Sequence, residues 1–288
     1  MKTVQEARIW GAGYLKEKSV ENPFLEAELL LAHALSFNKT DLIKHRTAEI
    51  EPEKIIHFKT LIERRGERYP FHYLTGKREF LEWDFQITPG VFIPRPETEV
   101  LVLLADEFLT QAGIERPRIL DIGCGSGVIL ISLLLLNPKA SGVGIDICSK
   151  AVELTRANSL RLGTQERSEI LNQSLEVIDT QFDLIICNPP YVEENSPHIS
   201  PETLYEPSRA LYSGSDGLDF IRRMLPRAKN LLTDRGGIFL EIGYNQGETV
   251  KQLLAENGFQ DPTLYQDISG IYRVAGGKKL GKNLSKVD

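Results

Sequence analysis

Over the first 69 residues apolar positions recur at helical spacing, and β-branched clusters are scarce. Residues 22–37 open with Asn22 as a cap and Pro23 at the first helical position, and Leu25, Leu29, Leu30, Ala32 and Leu35 then line one helix face. Residues 51–68 repeat the device with Pro52 near the start and Ile55, Phe58, Leu61 and Ile62 as the buried stripe. The period changes at Trp83, where apolar and polar residues alternate strictly through Thr88. Pro89 and Gly90 then turn the chain into Val91, Phe92 and Ile93, which predicts a hairpin bridging two domains. From Pro117 onward strand-like runs alternate with helical patterns, the clearest strands being residues 119–120, 142–145, 182–187 and 238–242. That alternation predicts a mostly parallel sheet wrapped by helices. The resulting division is a helical domain at residues 1–69, a linker with a β-hairpin at 70–94, an α/β domain at 95–277 and a disordered tail at 278–288, rich in Lys and poor in apolar side chains.

Charge and composition narrow the function classes. Apolar residues make up 41% of the 288 positions and charged residues 26%, enough to build a core. The net charge of −6 argues against a general electrostatic grip on nucleic acid or anionic membrane. No apolar run approaches the roughly 20 residues that span a bilayer, and the charges of Lys2, Glu6 and Arg8 interrupt any signal-peptide apolar region, so a cytoplasmic protein is expected. Cys124, Cys148 and Cys187 form no C-x-x-C pair and are expected to stay reduced. His33, His45, His57, His72 and His198 show no metal-ligand spacing, and no metal is assigned.

Chemistry first appears at Ile119-Leu120-Asp121-Ile122-Gly123-Cys124-Gly125-Ser126-Gly127, followed at once by the apolar helical run Val128–Leu136. A strand that ends in a glycine turn and opens a helix lets the backbone approach a ligand closely. Val128 stands where a dinucleotide fingerprint wants glycine, which moves the reading from NAD to another adenosine ligand. About 20 residues on, Asp146 ends the next strand, where a carboxylate can accept from both ribose hydroxyls. The pattern resembles the class I methyltransferases that use S-adenosylmethionine, and the resemblance implies that Gly123, Cys124, Gly125, Ser126, Gly127 and Asp146 bind that cofactor. It also implies a Rossmann-like α/β fold with a mostly parallel seven-stranded sheet, and S-adenosylhomocysteine as product.

A second segment runs from the strand at 182–187 into Asn188-Pro189-Pro190-Tyr191. Two prolines fix φ and remove backbone donors, leaving the carbonyls of Asn188 and Pro189 to accept from an NH2 group. An amide nitrogen is a weak nucleophile, so catalysis must come from aiming it and stabilising developing charge. Tyr191 can wall a planar group. The tetrapeptide resembles the acceptor motif of methyltransferases acting on planar nitrogen, whose substrates include adenine, guanine and protein glutamine.

The linker separates those substrates. Tyr73-Leu74-Thr75-Gly76, Arg95-Pro96-Glu97-Thr98-Glu99, the Asn-Pro-Pro-Tyr run and Glu206-Pro207-Ser208-Arg209-Ala210-Leu211 stand together in one order along nearly the whole chain. The combination resembles the protein-(glutamine-N5) methyltransferases that modify class I peptide chain release factors at the glutamine of a Gly-Gly-Gln motif, tuning translation termination. The resemblance implies that Asn188 and Pro189 carry catalysis, with Asn188 also near the cofactor. It implies that Pro190, Tyr191, Arg95 and Glu97 shape the substrate pocket, and that the helical domain docks the release factor. A monomer without membrane or nucleic-acid partners is expected. The family's adenine contacts find no match at Leu171-Asn172-Gln173-Ser174-Leu175, so none is assigned. The competing readings are methylation of an exocyclic amine of DNA or ribosomal RNA, a non-catalytic nucleotide-binding module, and an NAD-dependent dehydrogenase.

Overall fold

A computed structural model describes residues 1–194, 196 and 199–279, arranged in two compact units. Met1–Lys77 and Ile199–Tyr205 form the first, and the other described residues from Arg78 onward form the second. No helix among the described residues is long and apolar enough to cross a membrane. His198 lies outside the described residues.

The first unit is helical: α1 (Val4–Glu17), α2 (Pro23–Leu35), α3 (Lys39–Lys44), α4 (Pro52–Gly66) and α5 (Phe71–Thr75). Local chemistry sets the starts. Thr3 accepts the amide of Glu6 at 3.3 Å ahead of α1, and Asn38 and Asp41 exchange side-chain bonds as a capping box for α3. Asn22 occupies the cap position of α2 but makes no side-chain cap bond, because its backbone is left-handed (φ 50°). Leu15, Leu30, Leu31, Phe58 and Ile62 fill the core, whereas Leu25, expected on the buried face, is 49% exposed. Burying an arginine is unfavourable unless its charge is matched. Arg65 is buried, with Nε 2.5 Å from Glu26 and Nη1 3.0 Å from Glu202. Tyr205 adds a hydroxyl bond to the Glu67 carbonyl (3.0 Å) and an edge contact with Tyr69. These contacts hold Ile199–Tyr205 on the helices.

A two-stranded sheet follows, β1 (Lys77–Phe80) and β2 (Trp83–Gln86), which from Arg78 onward belongs to the second unit. This corrects the expected hairpin: Trp83 onward pairs back to the preceding segment, not forward to Val91, Phe92 and Ile93. Leu81 takes the turn with φ 52°, while Pro89, Pro94 and Pro96 deprive the later stretch of ladder donors. Phe80 and Phe85 meet edge to face in the core.

The remaining elements are α6 (Thr98–Ala112), β3 (Arg118–Ile122), α7 (Val128–Leu136), β4 (Ser141–Ile145), α8 (Ser149–Arg161), β5 (Ser168–Leu171), β6 (Phe182–Cys187), α9 (Asp219–Leu231), β7 (Leu232–Glu241), α10 (Gly247–Glu256), β8 (Gln260–Gln266) and β9 (Tyr272–Lys278). The seven-stranded sheet has order β5-β4-β3-β6-β7-β9-β8, in which β9 alone runs opposite to the other strands. Alternation along the strands separates two cores. Ile119, Leu184, Ile186 and Phe239 pack with α6 and α7, while Leu120, Ile185, Cys187, Ile238 and Leu240 pack with α9 and α10. Each fully buried aliphatic side chain contributes about 1.5–3 kcal/mol. β9 runs to Lys278, and the Lys279 amide donates to the Gly236 carbonyl at 2.9 Å, so the first two residues of the expected tail belong to the sheet; the rest of it, residues 280–288, lies outside the described residues.

The chain leaves β3 for β4 and β5, then returns to β6 on the other side of β3. The crevice at the carboxyl ends of β3 and β6 is therefore a topological switch point, the place where such sheets bind ligands.

Candidate active site

Three segments reach that crevice: Gly123 to Gly127 after β3, Asp146 after β4 and Asn188 after β6. The first loop is held by its own backbone. The amides of Gly123 and Cys124 both donate to the Ile145 carbonyl (2.8 and 3.0 Å), and that of Gly127 to Cys124 (2.7 Å). The glycines differ in purpose. Gly123 has φ 74° with no atom within 4 Å of where a Cβ would stand, whereas a Cβ on Gly127 would lie 2.7 Å from Thr155 Cγ2 and 2.8 Å from Ile131 Cδ1. One leaves room above the loop; the other lets α7 pack on α8. Cys124 is buried, and burial pushes its thiol pKa well up, so it is a packed group and not a nucleophile.

Asp146 is set by two amides, Gly125 to Oδ2 (3.0 Å) and Cys148 to Oδ1 (2.8 Å), while Asn172 Nδ2 donates to its carbonyl at 2.8 Å. Each carboxylate oxygen keeps a lone pair for a further donor. Beneath the loop, Asp121 is fully buried; its Oδ2 accepts from Leu130 N (3.3 Å) and its Oδ1 has no partner. Burial raises its pKa to about 7 against the lowering effect of the Leu130 amide, and Asp146 adds to the rise.

At the acceptor end, Asn188 Nδ2 donates to Thr98 Oγ1 at 3.2 Å, which leaves the Asn188 carbonyl oxygen to face other groups. Pro189 is buried and Pro190 half-buried beside it. The Tyr191 hydroxyl donates to Glu241 Oε1 (3.0 Å), and Gln246 Nε2 donates to the Tyr191 carbonyl (2.9 Å). Burial, reinforced by the Glu241 charge, raises the Tyr191 pKa well above its ordinary value, so the hydroxyl keeps its proton and the ring is a fixed wall. Arg95 and Glu97 lie at the start of α6. Arg95 is engaged by Glu206 (2.5 Å), whose buried carboxylate also accepts the Ile93 amide (3.0 Å), and its guanidinium sits 4.8 Å from the Phe92 ring centre. Burial raises the pKa of the Glu241 carboxyl above its ordinary value, and the Glu97 charge adds to the rise.

Thus the expected Gly123, Cys124, Gly125, Ser126, Gly127 and Asp146 surround one mouth, and Asn188, Pro189, Pro190 and Tyr191 follow the adjacent strand. Sequence reasoning missed Asp121, Thr98, Glu241 and Asn172. Asp121 was signalled only as the first residue of the glycine pattern, and Thr98 only within the Arg95 to Glu99 run; Glu241 and Asn172 carried no signal of their own. Among the described residues, no group of three or more His, Cys, Asp or Glu side chains is placed to hold a metal ion.

Comparison with known proteins places these features in a family. Residues 6–76 match the family described as PrmC N-terminal domain, and residues 82–216 the one described as Methyltransferase small domain. Release factor glutamine methyltransferases of Geobacter sulfurreducens and Bordetella pertussis are 39% and 36% identical to the chain. They cover 96% and 88% of it and are themselves covered over 96% and 94% of their lengths. The chain belongs to the release factor glutamine methyltransferase family.

The fold likeness extends further, to the 16S rRNA N2 G1207 methyltransferase of T. thermophilus solved with AdoMet and guanosine. That structure has a TM-score of 0.51 at 20% identity, covering 70% of this chain and 49% of its own. In this member of the release factor glutamine methyltransferase family the crevice fits S-adenosylmethionine on two counts. The open space over Gly123 is a cradle that a side chain would fill, and the unpaired buried Oδ1 of Asp121 matches a ligand that carries positive charge.

Proposed function

We propose that the chain transfers a methyl group from S-adenosylmethionine to the side-chain amide nitrogen of the glutamine in the Gly-Gly-Gln motif of class I peptide chain release factors. The observation that carries this reading is the match to release factor glutamine methyltransferases across nearly the whole chain, helical unit included. The orientation of Asn188 supplies the chemistry. When bound, S-adenosylmethionine supplies a methyl group made electrophilic by its sulfonium, and needs no metal.

Gly123, Cys124, Gly125, Ser126 and Gly127 cradle the donor, and Asp146 accepts its ribose hydroxyls. The Asn188 side-chain carbonyl and the Pro189 backbone carbonyl accept the two amide hydrogens of the substrate, which turns the nitrogen lone pair toward the donor and offsets the positive charge that develops there. Pro190 and Tyr191 flank the planar amide, and the surplus proton passes to water. Arg95, locked to Glu206, shapes the pocket with Glu97 and does not itself react. The helical unit docks the release factor in the cytoplasm, and the chain works as a monomer.

Purified protein, methyl-labelled S-adenosylmethionine and a class I release factor test the reading. Label is expected on the glutamine by peptide mapping, and Asn188→Ala is expected to bind donor while losing transfer. Label appearing in DNA or ribosomal RNA instead of the release factor would overturn it.

A further inference from the structure

The proposed reaction needs the Pro189 carbonyl to stay where an amide hydrogen can reach it, and the direction of that carbonyl is set by the backbone. Proline rings fix φ at positions 189 and 190, so the run from Cys187 to Tyr191 becomes rigid once both of its ends are pinned. The sheet pins the first end, where Cys187 pairs with Ile122 on one side and Leu240 on the other. The second end is the Tyr191 peptide, and Gln246 holds it. Gln246 Nε2 donates to the Tyr191 carbonyl at 2.9 Å and to the Asp216 carbonyl at 3.1 Å, while its Oε1 accepts the Gly243 amide at 2.8 Å.

Those three bonds leave the carboxamide one orientation. Flipped, it would set its oxygen against two carbonyls and its NH2 against an amide N–H. The side chain is buried, 4% exposed, so losing it would leave backbone groups unpaired inside the protein. Gln246 stands at the cap position of α10 yet makes no side-chain bond to that helix, so its carboxamide serves the loops and not the helix end. Two glycines make room for it. A Cβ on Gly217 (φ 75°) would overlap the Tyr191 carbonyl oxygen and lie 2.6 Å from Gln246 Nε2, and one on Gly243 would lie 2.9 Å from Oε1.

We infer that Gln246 is a positioning residue for the proposed methyl transfer: acting through the Tyr191 carbonyl, it locks the backbone of the acceptor tetrapeptide and so aims the Pro189 carbonyl at the substrate amide. The Tyr191 hydroxyl is bonded to Glu241 Oε1 at 3.0 Å, so Tyr191 is held at its side chain by the end of β7 and at its backbone by the turn that follows. Gln246 touches no reacting atom. Its three bonds reach neither the Gly123 to Gly127 loop nor Asp146, so donor binding does not depend on it.

The inference rests on the proposed methyl transfer, and the experiment separates the two. Steady-state kinetics with methyl-labelled S-adenosylmethionine and a class I release factor would be run on the wild type, Gln246→Met and Gln246→Glu, with calorimetry giving donor affinity and the donor-binding fraction. Gln246→Met keeps the length but removes all three bonds. Gln246→Glu keeps the shape and the acceptor for Gly243, but turns a carboxylate oxygen toward two carbonyls. Per donor-binding molecule, both are expected to lose kcat by roughly 10–100-fold, the scale of a misplaced reacting pair, with KM for the release factor and donor affinity little changed. Wild-type kcat per donor-binding molecule in either variant would overturn this inference alone. Variants that bind no donor because they fail to fold would overturn it too, since Gln246 would then serve the fold. A wild type that methylates no release factor would overturn the parent reading and this one with it.

Discussion

Two glycines of one loop should respond to the same substitution in opposite ways. At Gly127 an alanine meets two penalties. Its backbone at φ 83° is left-handed, which costs an L-residue about 1–2 kcal/mol. Its Cβ would also press on Thr155 Cγ2 at 2.7 Å and Ile131 Cδ1 at 2.8 Å, and overpacking of this kind costs about 1–3 kcal/mol. The sum, about 2–5 kcal/mol, is a large share of the ~5–15 kcal/mol by which a domain is stable. At roughly 2–4 °C per kcal/mol for a unit of this size, Gly127→Ala is expected to lower Tm by about 4–20 °C. At Gly123 only the backbone penalty applies, since φ is 74° and nothing lies within 4 Å of the new methyl. Gly123→Ala should therefore lose only about 1–2 kcal/mol, yet place a methyl where the donor is proposed to lie. Circular-dichroism melts and calorimetric titration with S-adenosylmethionine distinguish the two: Gly123→Ala nearly as stable as wild type but defective in binding, Gly127→Ala destabilised and binding in proportion to its folded fraction. Donor affinity at wild-type level in Gly123→Ala would refute the assignment of the open space. Equal loss of Tm in both variants would refute the steric argument.

Asp121 should make the free protein pH-sensitive: because its folded pKa is raised from 3.8 to about 7, the stability present below the lower value is lost as pH rises through the higher. Asp121→Asn is expected to be more stable than wild type at pH 8 and not at pH 4, by on the order of 4 kcal/mol at most, while binding donor less well; denaturant melts at the two pH values check the sign. Glu202 should act the other way. Its burial raises the pKa, but the Ser200 hydroxyl, its own backbone amide and Arg65 outweigh this and hold it at about 2 against an ordinary 4.5. Its contribution is therefore present above about 4.5 and lost as pH falls toward 2, and Glu202→Gln should remove that part of the acid dependence from unfolding curves of the full chain.

The strands legible in the sequence were those whose side chains are buried on both sheet faces. β6 reads as Phe-Asp-Leu-Ile-Ile-Cys with both neighbours parallel, so almost every position is apolar and no helix period competes. The hairpin misled because alternation at Trp83 to Thr88 says that a strand is present but not which partner it takes. Pairing was decided by the turn at Leu81, an unusual residue for positive φ, and by prolines downstream. Likewise Asn22 looks like a cap in sequence, but a side-chain cap needs an extended backbone, and Asn22 is left-handed. The attachment of Ile199–Tyr205 to the helical unit was invisible for a different reason: it depends on Glu202 meeting Arg65, 137 positions away, and no local pattern encodes such a meeting.

The site divides along the same line. Gly123, Asp146 and Asn188 could be read because each directly follows a strand, and Gly127 because it opens α7, places where backbone geometry, and therefore spacing, dictates the residue. Thr98 and Glu241 could not, since what ties each to the site is a hydrogen bond to a partner far along the chain, Asn188 for Thr98 and Tyr191 for Glu241. A glutamate closing an apolar strand looks like the first solvent-facing residue; Glu241 is instead 1% exposed, with the Tyr191 hydroxyl donating to its Oε1. Desolvating that charge is unfavourable by several kcal/mol even after partial compensation. A leucine at position 241 would avoid the cost but leave the buried Tyr191 hydroxyl without its acceptor. The persistence of an expensive buried carboxylate bonded to Tyr191 is therefore an argument that holding that ring beside the acceptor asparagine, and not the stability of the sheet, is what position 241 serves.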